Sequence, residues 1–261
     1  MRYIKLFWCI VRINLLNEVA YTTNFVLQLI QSLIDLGTAL AGLRIIFLYT
    51  DVLNGWHSSQ LGALLGIYLI VRGGIHLIIQ PAMQQLLSDI YTGKLDFTLL
   101  KPLDAQFLAS TQRINIWASV DIVLGSSVLG GALILMRNQC SPLGVLKFGA
   151  ILLVGGAIIY SFWLLLASSA FWLIRIESIL ALFQTMYQAG RWPSSIYPAW
   201  LRFLLTFLIP VALVTTVPAE ALTGQIVETD FFALLILAVV LPILARFIWL
   251  QGLKTYTGTS V

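Results

Sequence analysis

The sequence predicts an all-α integral membrane protein with about six transmembrane helices, and three observations carry that expectation. First, 59% of the 261 residues are hydrophobic and 10% charged, with a mean hydropathy of +0.94. A soluble domain carries about 25% charged residues, so too few polar groups remain here to cover a surface in water. Second, apolar runs close to the roughly 20 residues that a helix needs to cross a bilayer recur along the chain. Third, the basic residues alternate in side. With the N-terminus in the cytoplasm, Arg2, Lys5, Arg12, Lys94, Lys101, Arg113, Arg175, Arg191, Arg202, Arg246 and Lys254 fall in inner segments, and only Arg137 and Lys147 fall outside. Such an excess of inner Lys and Arg sets orientation, so both termini are expected in the cytoplasm.

Residues 3–20 mix Lys5, Arg12, Asn14, Asn17 and Glu18 with Ile, Leu, Phe and Trp. That mixture is too polar to span and suits an interfacial helix. Spans are expected over 24–48, 59–83, 114–136, 145–172, 198–217 and 231–250. The fourth exceeds what the bilayer requires and predicts tilt. In 174–190 an apolar stripe of Ile176, Ile179, Leu180, Phe183 and Tyr187 recurs at helical spacing, while Arg175, Glu177, Gln184 and Gln188 keep the rest polar. This reads as a cytoplasmic or interfacial helix. Pro210 interrupts the fifth span and Pro218 ends it. Residues 218–230 stay partly apolar but are too short to cross. Gly62 and Gly66, Gly73 and Gly74, Gly125, Gly130 and Gly131, and Gly155 and Gly156 mark places where helices can approach closely.

Four titratable residues fall inside spans: Asp35, Arg72, His76 and Asp121. A charge near the bilayer centre costs about 2.5–3.5 kcal/mol on insertion scales, so each is expected to have a partner or a water-lined cavity. Arg72 and Asp121 sit at similar depth and are expected to pair. Asp35 is left without an obvious mate. It either faces a translocation path, where it would favour a cationic substrate, or makes a polar contact inside the bundle.

Other chemistries find little support. The basic residues are scattered rather than clustered, which argues against nucleic acid. Cys9 and Cys140 are expected on opposite sides of the membrane and imply no disulfide. No His, Cys and carboxylate spacing suggests a metal, and no nucleophile and base are arranged together. Gly93 and Lys94 do not begin a P-loop, because Ser88 and Leu95 stand where a Gly and a Ser or Thr are needed to wrap phosphate.

Residues 86–108 form the longest water-facing insertion. Asp89, Lys94, Asp96, Lys101 and Asp104 alternate in sign around Leu95, Phe97, Leu99 and Leu100. Gly93 can cap a preceding helix, and Pro102 disfavours helix at Lys101. The outcome is a short helix offering apolar side chains to a soluble partner, or a solvated connector.

Residues 192–224, WPSSIYPAWLRFLLTFLIPVALVTTVPAEALTG, place Pro-x-x-Ile-Tyr-Pro before an apolar run to Ile-Pro and then Val-Pro-Ala. The tail runs Trp249, Leu250, Gln251, Gly252, Leu253, Lys254, Thr255, Tyr256. With Gly93 to Asp96 and Leu100 to Leu103, these motifs resemble the permease subunits of bacterial ABC type-2 exporters over essentially the whole chain. The tail departs from the family's serine- and alanine-rich ending. The resemblance implies that 86–108 is the coupling segment between spans 2 and 3, with Asp89, Gly93, Lys94, Leu95, Asp96, Phe97, Leu99, Leu100 and Pro102 docking an ATPase. It implies an outer re-entrant gate over 218–230, marked by Pro210, Pro218 and Glu220. It also implies a second permease chain and ABC ATPase subunits as partners, in the lipid of a bacterial inner membrane. This chain would bind no cofactor, ATP and Mg being held by the partner. The substrate would be hydrophobic or amphipathic: a drug, lipophilic cation, peptide or lipid-like molecule. The rival readings are a gradient-driven transporter, for which repeated halves would be expected, and a non-transporting scaffold.

Overall fold

In lipid, backbone polar groups must be satisfied within the segment, so long apolar runs become helices. The computed structural model describes residues 2–19, 22–136, 142–173, 176–226 and 228–256. The readings placed on Arg137, Cys140, Arg175, Val227 and 257–261 lie outside these. The helices are α1 (Arg2–Val19), α2 (Thr22–Tyr49), α3 (Ser58–Gly74), α4 (Gln80–Tyr91), α5 (Leu95–Leu99), α6 (Ala105–Thr111), α7 (Ser119–Leu135), α8 (Pro142–Ser168), α9 (Ile176–Tyr187), α10 (Ala199–Phe203), α11 (Val211–Thr223) and α12 (Glu228–Thr255). Among the described residues five helical stretches are long and apolar enough to cross a membrane: Phe25–Tyr49, Ser58–Tyr91, Ile116–Leu135, Gly144–Phe171 and Glu228–Thr255. The first four alternate in direction and the fifth runs parallel to the fourth, so the bundle has one end at α5 and another at the turn around Trp56.

The second stretch continues past residue 83, where its span was expected to end, to Tyr91. At about 1.5 Å per residue it is about 51 Å long, against a hydrocarbon core of about 30 Å. Pro81 does not break it. A π-helical turn, Ile75–Ile79, precedes the proline. Pro81 lacks the N–H that would bond the Leu77 carbonyl four residues back, and that carbonyl instead accepts the Asn115 N–H at 2.9 Å. The proline thereby ties α4 to the chain entering α7.

α3 and α7 cross at backbone contact. A Cβ on Gly66 would lie 2.7 Å from the Leu129 nitrogen, and one on Gly125 2.7 Å from the Gly66 carbonyl oxygen. Gly62 is different: a Cβ there would meet only the Ala132 methyl at 3.8 Å. At the α5 end Gly252 leaves room for the ring of Phe171. Phe171 packs on Trp249 (5.8 Å between ring centres) and Tyr256 (5.9 Å), which gives the Trp249–Gly252–Tyr256 spacing its physical purpose.

Two expectations for 174–230 change. The chain leaves Leu173 at the α5 end, where its carbonyl accepts from the Tyr91 hydroxyl at 3.4 Å, and reaches Ser195 at the Trp56 end, where its carbonyl accepts from Asn54 Nδ2 at 3.2 Å. α9 therefore lies on the path between the two ends of the bundle. Its apolar stripe meets protein: Phe183 stands edge-on to Phe162 (5.0 Å), and Tyr187 stacks on Tyr68 (5.2 Å).

The segment expected as the fifth span is a bent pair. Ala199–Leu208 and Val211–Thr223 meet at 98°. Pro210 (φ −70°, ψ 43°) forms an inverse γ-turn in which the Val211 N–H bonds the Ile209 carbonyl. Both feet stand at the Trp56 end. Arg202 bonds Asp230 at the start of α12 at 2.9 Å, and Ala219 and Leu222 share a core with Trp56 and Leu61. The tip lies inside, where Val211 packs in a core with Ile75 and Ile159. Pro218 does not end this element either. It sits inside α11, which is buried from Val211 to Leu222 and stops at Gly224 in the left-handed conformation (φ 71°). A proline is tolerated in a helix whose freed carbonyl lies among neighbouring protein groups. The segment that folds back is thus 199–223, ahead of the 218–230 expected to re-enter.

Gly66→Ala and Gly125→Ala are each expected to destabilise the fold by about 1–3 kcal/mol through overpacking, read as a lowered unfolding temperature in detergent. Gly130→Ala and Gly131→Ala, where a Cβ meets nothing within 4 Å, are expected to leave that temperature unchanged.

Candidate functional site

At the α5 end, α4 closes with the Thr92 hydroxyl bonded to the Ser88 carbonyl (2.7 Å) and Gly93 in the left-handed conformation (φ 71°). The turn launches α5 across the end of the bundle. Leu95, expected to be offered outward, is 1% exposed and anchors α5 in the core with Met83, Leu86 and Ile90. Thr98 is buried beside it. The outward face is instead Phe97 (70% exposed), Leu99 (38%) and Leu100 (82%), flanked by the exposed Lys94, Asp96, Lys101 and Pro102. Leu95 and Leu99 stand one turn apart and are neighbours on α5, but Leu95 lies in the core while Leu99, at the end of the helix, is 38% exposed at the edge of the outer face. Asp89 is not on the surface either. It is buried, accepting from Gln85 Nε2 (2.9 Å) and Gln112 Nε2 (3.1 Å), and so links α4 to the end of α6.

Three further ties hold this face to the bundle, and sequence reasoning missed them. Asp104 caps α6 by accepting the Phe107 N–H (3.1 Å). Arg246 of α12 reaches Asp104 Oδ2 (2.8 Å) and Gln106 Oε1 (2.6 Å). Tyr160 of α8 accepts from Gln106 Nε2 (3.1 Å) and shares a hydrogen bond with Ser110 (2.7 Å). The hydrogen bond from Arg246 holds the Asp104 carboxyl below its ordinary value, against the opposing effect of burial. The partners lie about 140 residues apart in sequence, beyond the reach of any local pattern. The N-cap aspartate before Ala105–Thr111 was the only local signal.

Inside the bundle, Arg72 stands between two carboxylates. Its Nη1 lies 2.7 Å from Asp35 Oδ2 on α2, and its Nε 3.3 Å from Asp121 Oδ2 on α7. Asp35, for which no mate was evident in the sequence, therefore makes a polar contact inside the bundle, one of its two expected alternatives. Asp121 is fully buried, and neither of its oxygens accepts a hydrogen bond from a described residue within ordinary angles. His76 sits one turn beyond Arg72 in the π-helical turn. On its far side, Arg72, His76 and Gln80 border a small cavity of about 30 Å³ among Ile159, Phe162, Trp163, Phe183 and Val211. Pro210 and Glu220 are buried at the tip and the foot of the bent pair. Among the described residues no group of His, Cys, Asp and Glu could hold a metal.

The structure is a bundle of long apolar helices with a bent helix pair whose second arm, α11, is buried, and with a short apolar face held out at one end. The chain matches the family model of the ABC-2 family transporter proteins over residues 33–260 and belongs to that family. It is a membrane permease that handles a substrate across the membrane, and not a catalytic enzyme. Membership implies an ATPase partner and a lipid setting. No curated protein and no solved structure matches the chain.

Arg72→Gln is expected to destabilise the fold by about 3–5 kcal/mol, because it leaves a buried carboxylate unpaired. Asp121→Asn added to Arg72→Gln is expected to restore part of that loss. A double-mutant cycle on thermal unfolding checks this, and strict additivity would mean that the two side chains do not interact.

Proposed function

We propose that this chain is the permease subunit of an ATP-driven exporter in a bacterial inner membrane, working as half of a permease dimer with a separate ABC ATPase docked on α5. The observation that carries the reading is the division of labour within α5. Leu95 and Thr98 fasten it to the bundle while Phe97, Leu99 and Leu100 face outward. Burying such side chains in a partner's groove contributes roughly 1.5–3 kcal/mol each. The α5 end is then cytoplasmic, in keeping with Lys94, Lys101 and Arg113 there, while Arg202, expected on the inner side, falls at the outer end, where it pairs with Asp230. The path from Leu173 to Ser195 serves as the fifth crossing, and 199–223 as a re-entrant gate on the outer side.

ATP and Mg act in the partner subunit. When the ATPases close, they push α5, and the ties through Asp89, Asp104 and Arg246 pass that motion to α4, α8 and α12. Transport requires that the docking contacts differ between two states of the permease. Ile209 and Val211 at the gate tip share a core with Ile75, close to Arg72, so a shift of α3 and α4 reaches the outer hairpin without an intervening element.

A mild-detergent pull-down of the full chain tests the reading. The wild type is expected to bring down an ATP-binding subunit and a second permease chain. Phe97→Asp with Leu100→Asp is expected to lose the ATPase while the unfolding temperature stays within a degree or two. Leu95→Asp is expected to lower the unfolding temperature as well, since it buries a charge. Absence of any ATPase with the wild-type chain under gentle conditions would sink the reading.

A further inference from the structure

Between α2 and the start of α4 lies a polar cleft that neither α5 nor the bent pair uses. Gln28 and Gln31 face it from α2, Gln80 and Gln84 from α4, and Asn115 closes it, held by its N–H bond to the Leu77 carbonyl. The two glutamine pairs are three and four residues apart, so each occupies one helix face. The cleft has two adjoining lobes of about 260 and 390 Å³, on the scale of small-molecule sites, roughly 300–1,000 Å³. Arg72 and His76 floor one lobe, and Arg113 and Trp117 border the other.

Two features point to a ligand and to its chemistry. Gln80 Oε1 is buried and accepts no hydrogen bond from a described residue, an arrangement that costs free energy unless something donates to it. Among the described residues no carboxylate lines either lobe; Asp35 and Asp121 are turned to Arg72 and neutralise it, which leaves Arg113 as the cationic group on the lining.

We propose that this cleft receives the head of an amphipathic substrate that carries hydroxyl or amide groups and no positive charge. The inference rests on the permease reading and names the substrate class within it. Each carboxamide offers both donor and acceptor and so matches hydroxyl or amide groups. A quaternary ammonium offers neither and would meet Arg113 with no carboxylate among the described lining residues to receive it. The apolar chain of the ligand lies along α2, whose Leu27, Ile30 and Ile34 are exposed to lipid. The expectation that Asp35 selects cations is thereby replaced.

The test uses the full chain in lipid nanodiscs, titrated with octyl glucoside or with octyltrimethylammonium. The emission of Trp117 is read after subtracting the signal of the Trp117→Phe protein. Octyl glucoside is expected to shift Trp117 emission saturably, and the ammonium is not. Gln31→Leu with Gln84→Leu is expected to weaken glucoside binding about tenfold or more. Gln31→Glu with Gln84→Glu is expected to reverse the preference, which keeps the test informative if the leucine variant folds poorly. Ammonium binding as tight as glucoside in the wild type, or titrations unchanged in both double variants, would overturn the assignment. The measurement needs no ATPase, so its failure is distinct from a failure to capture one.

Discussion

The bundle depends on one guanidinium shared between two carboxylates in an apolar setting. Lipid tails are as apolar as leucine, so the hydrophobic effect does not drive one membrane helix onto another. α2 shows the consequence, since only 6% of its apolar window is buried within the chain. Its attachment relies on Asp35 reaching Arg72, which in turn faces Asp121 of α7. Where the medium offers these charges no solvation, separating them is costly, and three helices stay registered through one side chain. The same contact fixes the depth of α2 and so places Gln28 and Gln31 opposite Gln80 and Gln84.

The α5 end uses a different device. The outward face is small, and its value to a partner depends on how stiffly it is joined to the helices behind it. Leu95 in the core, Asp89 between Gln85 and Gln112, and Arg246 across Asp104 and Gln106 give it three independent ties. In the proposed function this stiffness is what lets a push on α5 become a movement of whole helices.

Local rules worked where one residue answers to its near neighbours. The left-handed Gly93, the presence of several long apolar helices and the tail pattern around Trp249 were all readable in that way. The same rules misled at Pro218, which lies inside α11. Pro81 likewise makes no break, because a π-helical turn and the Asn115 N–H absorb it. Pro210, with an inverse γ-turn and no neighbour to continue its helix, did interrupt. Whether a proline stops a helix thus depends on what stands beside its freed carbonyl, which lies elsewhere in the chain.

The sequence by itself determined that this chain lives in a membrane, where most of its apolar helices lie, and to which family it belongs. Those properties follow from bilayer thickness and the cost of burying charge, both read along one dimension. Only the tertiary structure decided that Leu95 points in and Phe97 out, that 199–223 folds back on itself, and that Asp35 is engaged by Arg72. It alone brought four glutamines and an asparagine into one cleft. Each of these depends on which residues, far apart in the chain, come to share a depth and a face, and that is set by helix packing.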